Sequence, residues 1–516
     1  MTATKGSDNR VVLPRWRAWR DSRNSGELEP LRSQPERSRS LLSDSTSEAE
    51  ISQRLADFKA WNGTYEAADV VNAAIVLGLE DYPGVHEAAK TLRGSSLPAV
   101  SELAERILSH DSSKSDDILH ELESRANLDA VQSRDEDGTR VAWLRSIVQS
   151  EPRNSLRWAD LALAHTVLGN KRPAARAIRV AVSLADGNRF ILRAAARFHV
   201  HEGDFDAAHS ILTANMDNLV ADPWLMAAEI AIADMSGQRI RYTSHGRQLL
   251  AGDFPPRHIS ELASALATLE LKAGRIKRAR KLFEQALEDP TENSLAQAEW
   301  SMERGINVLP PTHLHAPQDF EAETRHSLRL EKFRDAAIQA RLWQEDQPFA
   351  LEPATHASYI ASTLAEDYKL AIIACEKGLI ANPGDPILLN NLAFSQANAG
   401  LIEAAKRNIG SIVMADDAKK LLIRTATSGL IAFRQNDPHL GRELYQESII
   451  GWTRQENGNV GAAMAAIFWA REEIRARSQH VIPALKLVDS LCDKIPPGSD
   501  VDILRHRLID DSEHQI

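Results

Sequence analysis

Aromatic residues make up only 5% of this 516-residue chain, and cysteine occurs twice. The two cysteines, Cys375 and Cys492, form no C-x-x-C pair. Cys375 falls at a helix position that reads as buried, so a reducing compartment fits and a disulfide framework does not. Long apolar runs are missing too. The most membrane-like stretch, Ala462 to Ala470, falls far short of the ~20 residues needed to cross a bilayer. The N-terminus has arginines but no apolar core of signal-peptide length, so the expected location is cytoplasmic. No segment sustains the β-branched, period-two alternation of a strand.

The signatures of common chemistries are absent as well. There is no G-x-x-x-x-G-K-[ST] loop and no G-x-G-x-x-G after a strand. No G-x-S-x-G elbow occurs. The pairs His86-Glu87, His120-Glu121 and His201-Glu202 lack the second histidine of a zinc-protease helix. Asp135-Glu136-Asp137-Gly138 lacks calcium-loop spacing and reads as a solvated turn. His165 and His199 recur at equivalent places and read as packing between helices, whereas His313 and His315 read as part of a free loop. No metal site and no cofactor is expected, since a metal needs at least three converging ligands.

Hydrophobic residues at 43% and charged residues at 26% are ordinary for a folded soluble protein. The net charge of −11 is unevenly placed: residues 1–40 carry nine Lys/Arg against five Asp/Glu, and the rest carries 52 against 67. An acidic body argues against tracking a phosphate backbone. The basic tail leaves an acidic partner or nucleic acid open. Arginine outnumbers lysine 45 to 16, which points to a GC-rich bacterial genome.

Residues 1–46 are rich in Arg, Ser, Pro and Glu and read as a disordered basic tail. From about Glu48 onward, short apolar-periodic segments alternate with turns holding Gly, Asp, Asn or Pro. One pattern recurs. Trp158, Leu161, Ala162 and His165 share a helix face, Gly169 makes a turn, and Ala174, Ile178 and Ala181 share the next face. Thirty-four residues on come Leu192, Ala195, Ala196 and His199, then Gly203, then Ala208 and Leu212. Further copies carry Leu266, Ala267, Gly274, Ala279, Phe283 and Ala286; Ala371, Cys375, Gly378 and Pro383; and Leu389, Leu392, Ala393, Gly400, Ala405 and Ile409.

This spacing resembles the tetratricopeptide repeat family, whose unit is a helix–turn–helix of 34 residues. Small residues stand at position 20 (Ala174, Ala208, Ala279, Ala371, Ala405) and bulkier ones at position 24 (Ile178, Leu212, Phe283, Cys375, Ile409), with Pro152 and Pro383 closing units. Alanine at the crossing lets two helix axes approach to the ~8–10 Å of packed helices. The expected fold is therefore all-α: a right-handed superhelical solenoid of such repeats behind a disordered N-terminal tail. Its expected parts are degenerate helical repeats at 47–119, a first array at 120–307, a Pro-rich loop at 308–316, a second array at 317–495, and a C-terminal cap and tail at 496–516. Tyr359 at position 8 and Glu366 at position 15 depart from the pattern, and the stretch 222–256 matches it poorly.

The resemblance implies partner binding in a groove lined by the first helix of each repeat. Carried over by position, that groove shows Phe190, Arg193, Arg197 and His201 in one repeat, suited to an acidic or C-terminal carboxylate partner. In another it shows Ile387, Asn390, Phe394 and Asn398, suited to an extended peptide backbone. Asn391 fits one place of the family's carboxylate clamp, but the clamp's lysines are missing. The tail motif Arg15, Trp16, Arg17, Trp19 and Arg20 is a second candidate. It could dock in the groove of its own or another copy, serve as a linear motif for a protein partner, or contact nucleic acid through Arg–phosphate contacts and Trp stacking. The leading expectation is a non-catalytic scaffold or adaptor for proteins or peptides, with no membrane partner. Nucleic-acid association through the tail and an unrecognised enzyme site in the degenerate regions (47–119 or 430–516) are its alternatives.

Overall fold

The computed structural model describes residues 11–19, 21–22, 27–28, 31, 44–77, 79, 81–93, 101, 104–105, 107–108, 134–309, 313–413, 417–495 and 498–515. Every regular element among them is a helix. The chain divides into two compact units, Leu31–Glu136 and Met1–Pro30 with Asp137–Ile516. The smaller unit holds α1 (Asp44–Trp61), α2 (Thr64–Leu77) and α3 (Val85–Leu92). Its core gathers Ile51, Leu55, Phe58, Val70, Val71, Val85, Ala88 and Leu92.

The larger unit is a solenoid of antiparallel helix pairs. After α4 (Arg134–Ser150) come α5 (Ser155–Val167) with α6 (Lys171–Leu184), then α7 (Arg189–His201) with α8 (Phe205–Thr213). A short α9 (Met216–Ala221) precedes α10 (Pro223–Met235) and α11 (Thr243–Leu250), followed by α12 (Pro256–Lys272) and α13 (Ile276–Ala286). The first helices of these pairs start at Ser155, Arg189, Pro223 and Pro256, close to one repeat apart. Local chemistry sets that rhythm. The side chains of Asn154, Asn188 and Asp222 each accept from a backbone N–H in the first turn of the helix they precede, satisfying donors the helix itself leaves open. The stretch 222–256 is thus in register after all. Its match is poor because an irregular stretch at 238–242 separates α10 from α11.

All five position-20 alanines are completely buried, as crossings must be in a stack where no pair buries its apolar face alone. The position-24 residues are buried with them. The register breaks after α14 (Glu292–Glu303) for a clear reason: among the described residues no second helix pairs with α14. An irregular connection takes that place, and the next pair, α15 (Phe320–Arg329) with α16 (Phe333–Asp346), begins afresh. Then follow α17 (Leu351–Tyr359), which continues as a π-turn at Ile360–Leu364, α18 (Tyr368–Ala381), α19 (Pro386–Asn398), α20 (Ile402–Gly410), α21 (Ala418–Arg434), α22 (Pro438–Thr453), α23 (Asn459–Arg475), α24 (Val481–Cys492) and α25 (Asp500–Gln515).

The two departures from the repeat pattern flank that π-turn. Tyr359 is buried and its hydroxyl donates to Asp500 on α25 at 2.6 Å. Glu366, where a turn glycine is expected, takes a left-handed φ of 56° and pairs with Arg471 at 3.0 Å. The solenoid also closes on itself. A Cβ placed on Gly169, in the α5–α6 turn, would lie 2.7 Å from the carbonyl oxygen of Ile380 on α18. Phe349, Ala350 and Ala381 share one core with residues of α5, α6 and α7. No helix among the described residues is long and apolar enough to cross a membrane.

Candidate functional site

Most of residues 1–46 lie outside the described residues, Arg20 among them, but Val11–Trp19 do not. This segment has no helix or strand of its own. It runs through the inside of the solenoid, and the groove supplies its hydrogen bonds. Val11 N–H donates to Asp234 at 2.9 Å, Val12 N–H to Gln297 at 2.8 Å, Trp16 N–H to Gln347 at 3.1 Å and Trp19 N–H to Asp160 at 3.0 Å. The acceptors come from α10, α14, the α16–α17 turn and α5, so nine residues bridge early and late repeats. The Gln347 amide also donates back to the Trp16 carbonyl at 3.5 Å, and Asn293 donates to that of Leu13 at 3.3 Å.

Side chains complete the fit. Trp16 is 1% exposed and meets Phe349 and Phe198 edge-on at centroid distances of 5.2 and 6.2 Å, a favoured aromatic geometry. Val11 and Leu13 join the core around α10 and α12. On either side of Trp16 an arginine is held by acids. Arg15 pairs with Glu321 and donates to Asn293 at 2.8 Å. Arg17, 5% exposed, donates to Glu292 at 2.6 Å and, with two nitrogens, to Asp346, the longer bond being 2.9 Å. The small cavity beside the segment has a volume of about 30 Å³, room for a water-sized molecule.

The electrostatics follow from burial. Desolvation alone would push the Glu292 carboxyl up, but the charge and hydrogen bond of Arg17, helped by Arg15, hold it below the usual carboxylate range. Burial works against charge on Arg17 also, and Glu292 and Asp346 outweigh it, so the guanidinium stays charged. Asp160 is pushed up to about 6 by burial, against the Trp19 N–H and Arg157. Glu27, later in the chain, is pushed up to about 7 by burial, against its partner Arg193.

The first set of residues proposed from sequence takes several places. Arg193 is buried and pairs with Glu27 at 2.7 Å and Glu261 at 2.9 Å, so the acid it holds comes from the chain itself. Arg197 lies over the Phe349 ring at 4.9 Å, and His201 stands edge-on to the same ring at 5.4 Å. Burial, then Arg197 and Lys171, lower His201 to about 4. Arg197 and His201 thus back the Phe349 ring that Trp16 meets. Phe190 is buried in the core of α5–α7, the same core that takes in Trp16.

The second set is not brought to the segment. Phe394 packs edge-on against Phe468 at 5.1 Å. Asn398 donates to the Phe394 carbonyl and accepts from Arg434, at 3.1 and 3.0 Å. Ile387 is half-buried. Asn390 is 3% exposed, and neither end of its amide has a partner among the described residues. Asn391 donates to Ser358 at 3.0 Å, a contact between helices. Of the tail motif, Arg15, Trp16, Arg17 and Trp19 are all engaged, with Arg157 lying over the Trp19 ring at 5.5 Å. Sequence reasoning missed the acceptors Gln297, Gln347, Asp346 and Glu292, which carry no motif and look like ordinary polar positions.

No protein-family model and no curated protein matches the sequence. Solved structures do. The APC/C hetero-tetramer Cut9-Hcn1 matches at 14% identity over 91% of this chain and 95% of that one, with a TM-score of 0.43. The human IFIT1 dimer with PPP-AAAA matches at 12% identity over 92% and 94%, with a TM-score of 0.31. Yeast Tom70 matches at 10% identity over 93% and 95%, with a TM-score of 0.28. None of these three reaches a TM-score of 0.5, so the fold is read from the chain's own helix packing.

Proposed function

We propose that this chain is a protein-interaction scaffold or adaptor whose inner groove reads an extended Arg-Trp-Arg segment, and that its own residues 11–19 occupy that groove in cis. One observation carries the reading: four backbone N–H groups of an extended segment are each met by a groove side chain, around a buried tryptophan flanked by two paired arginines. Side chains that satisfy a peptide backbone while pockets take its side chains are the general means of recognising an extended peptide. The partner class is therefore a protein or peptide with basic and aromatic residues. It competes with an intramolecular segment whose effective concentration is of millimolar order, so the groove is self-capped until that segment is displaced.

Catalysis forms no part of this reading. Nucleic-acid binding by the same tail is the weaker alternative. It requires Arg15 and Arg17 to leave carboxylates that already hold them, in a groove lined by Asp160, Asp234, Glu261, Glu292, Glu321 and Asp346, and such a surface repels phosphate.

The test uses the full chain carrying Arg15→Ala, Trp16→Ala and Arg17→Ala, titrated against a labelled peptide of residues 10–21 with anisotropy as the readout. The variant binds the peptide saturably at one site, and the unaltered chain binds it at least ~10-fold more weakly because its groove is filled. A folded variant that does not bind the peptide overturns the proposal.

A further inference from the structure

The connection between α14 and α15 carries His313 and His315. Sequence leaves them in a free loop; the structure packs them onto α15. His313 Nε2 lies 2.6 Å from Glu323 Oε1, and His315 Nδ1 lies 3.4 Å from the same oxygen. The two imidazoles stand edge-on at 4.3 Å, and His313 stacks on His326 at 4.0 Å. The ligand atoms of His313, His315 and Glu323 all lie within 4.8 Å of one another.

We propose that His313, His315 and Glu323 form a binding site for a divalent transition-metal ion of the zinc class. Two imidazoles and one carboxylate suit that class. A tetrahedral ion with bonds near 2.0–2.1 Å sets its ligands roughly 3.3 Å apart. The His315–Glu323 separation of 3.4 Å already fits, and the His313–Glu323 pair opens by less than ~1 Å as two metal bonds replace its hydrogen bond, the bridging proton passing to His313 Nδ1 or to solvent. The imidazoles are accessible, with side-chain exposures of 34% for His313 and 65% for His315, so an ion enters from solvent and water fills the fourth position.

A second triad, Glu299, His313 and His326, has its atoms equally close. It is the poorer site, because Arg329 occupies Glu299 at 3.0 Å and reaches His326 Nδ1 at 2.9 Å, placing a guanidinium against the incoming cation. In that arrangement His326 positions the His313 ring by stacking, and Glu299 with Arg329 positions His326. The bound ion ties the irregular connection to α15, the helix that also presents Glu321 to Arg15.

The experiment is a calorimetric titration of the metal-stripped full chain with zinc chloride, paired with thermal melts in zinc and in EDTA. One saturable site appears, and zinc raises the melting temperature reversibly. The double variant His313→Gln/His315→Gln and the single variant Glu323→Gln each weaken binding at least ~10-fold, as loss of a primary ligand should, while melting in EDTA like the unaltered chain. Should the double variant fail to fold, Glu323→Gln carries the same test. No saturable site on the folded chain, or binding that Glu323→Gln leaves unchanged, overturns the proposal.

Discussion

Replace Arg17 with methionine, which keeps most of the side-chain volume and removes the charge. In the native chain this guanidinium is the buried partner of two carboxylates, Glu292 and Asp346, whose side chains are each 5% exposed. Removing one member of a buried ion pair leaves an uncompensated charge and costs about 3–5 kcal/mol. The loss is capped at the docking free energy of the segment, since beyond that point the segment leaves and water hydrates the acids. The pH dependence is diagnostic. In the native chain Glu292 sits below its ordinary pKa, so its stabilisation is fully present at neutral pH and fades as pH falls through that depressed value. In the variant, burial is no longer opposed by Arg17, and Glu292 rises as buried Glu27 does. A carboxyl with a raised folded pKa destabilises above that pKa, and the deficit shrinks as pH falls toward the unfolded value. Urea unfolding followed by circular dichroism at about pH 8 and about pH 5.5 therefore shows a gap between the two proteins that is wide at the higher pH and narrower at the lower. A loss below about 1 kcal/mol at both would mean that Arg17 is solvated and the groove does not hold it.

Trp16→Ala empties a pocket bounded by Phe198 and Phe349 and costs about 3–5 kcal/mol, read as a fall in thermal midpoint. Gly169 and Gly203 both have positive φ, yet only at Gly169 does an added Cβ meet another helix's backbone. Gly169→Ala therefore costs more than Gly203→Ala, whose penalty is the roughly 1–2 kcal/mol of left-handed backbone alone; equal penalties in urea melts would refute the closure of α5–α6 against α18. Ala405→Trp and Ala174→Trp overpack helix crossings that are completely buried, costing at least about 1–3 kcal/mol, and unchanged melts would mean the repeat register is wrong.

What sequence could reveal was set by distance along the chain. Crossing alanines, turn glycines and the spacing of copies are features of one hairpin and its neighbour, so a 34-residue ruler finds them. The docked segment offered no such ruler. Trp16 meets Gln347 across 331 positions and Trp19 meets Asp160 across 141. Its only local signal was a pair of tryptophans among arginines in a chain otherwise poor in aromatics. Assigning groove residues by repeat position named Arg197 and His201, which pack on the Phe349 ring beside Trp16, and Arg193, which pairs with Glu27 and Glu261 instead. It also named Phe190, which lies in the buried α5–α7 core together with Trp16. His313 and His315 looked idle because Glu323 and His326 approach them only once the connection folds back onto α15.

Amide hydrogen exchange of the full chain measures the central claim most directly. With the segment seated in the groove, Val11, Val12, Trp16 and Trp19 exchange slowly, with protection comparable to the helices that flank them. Exchange of those four amides at the rate of an unstructured peptide, while α7 and α14 remain protected, would contradict it.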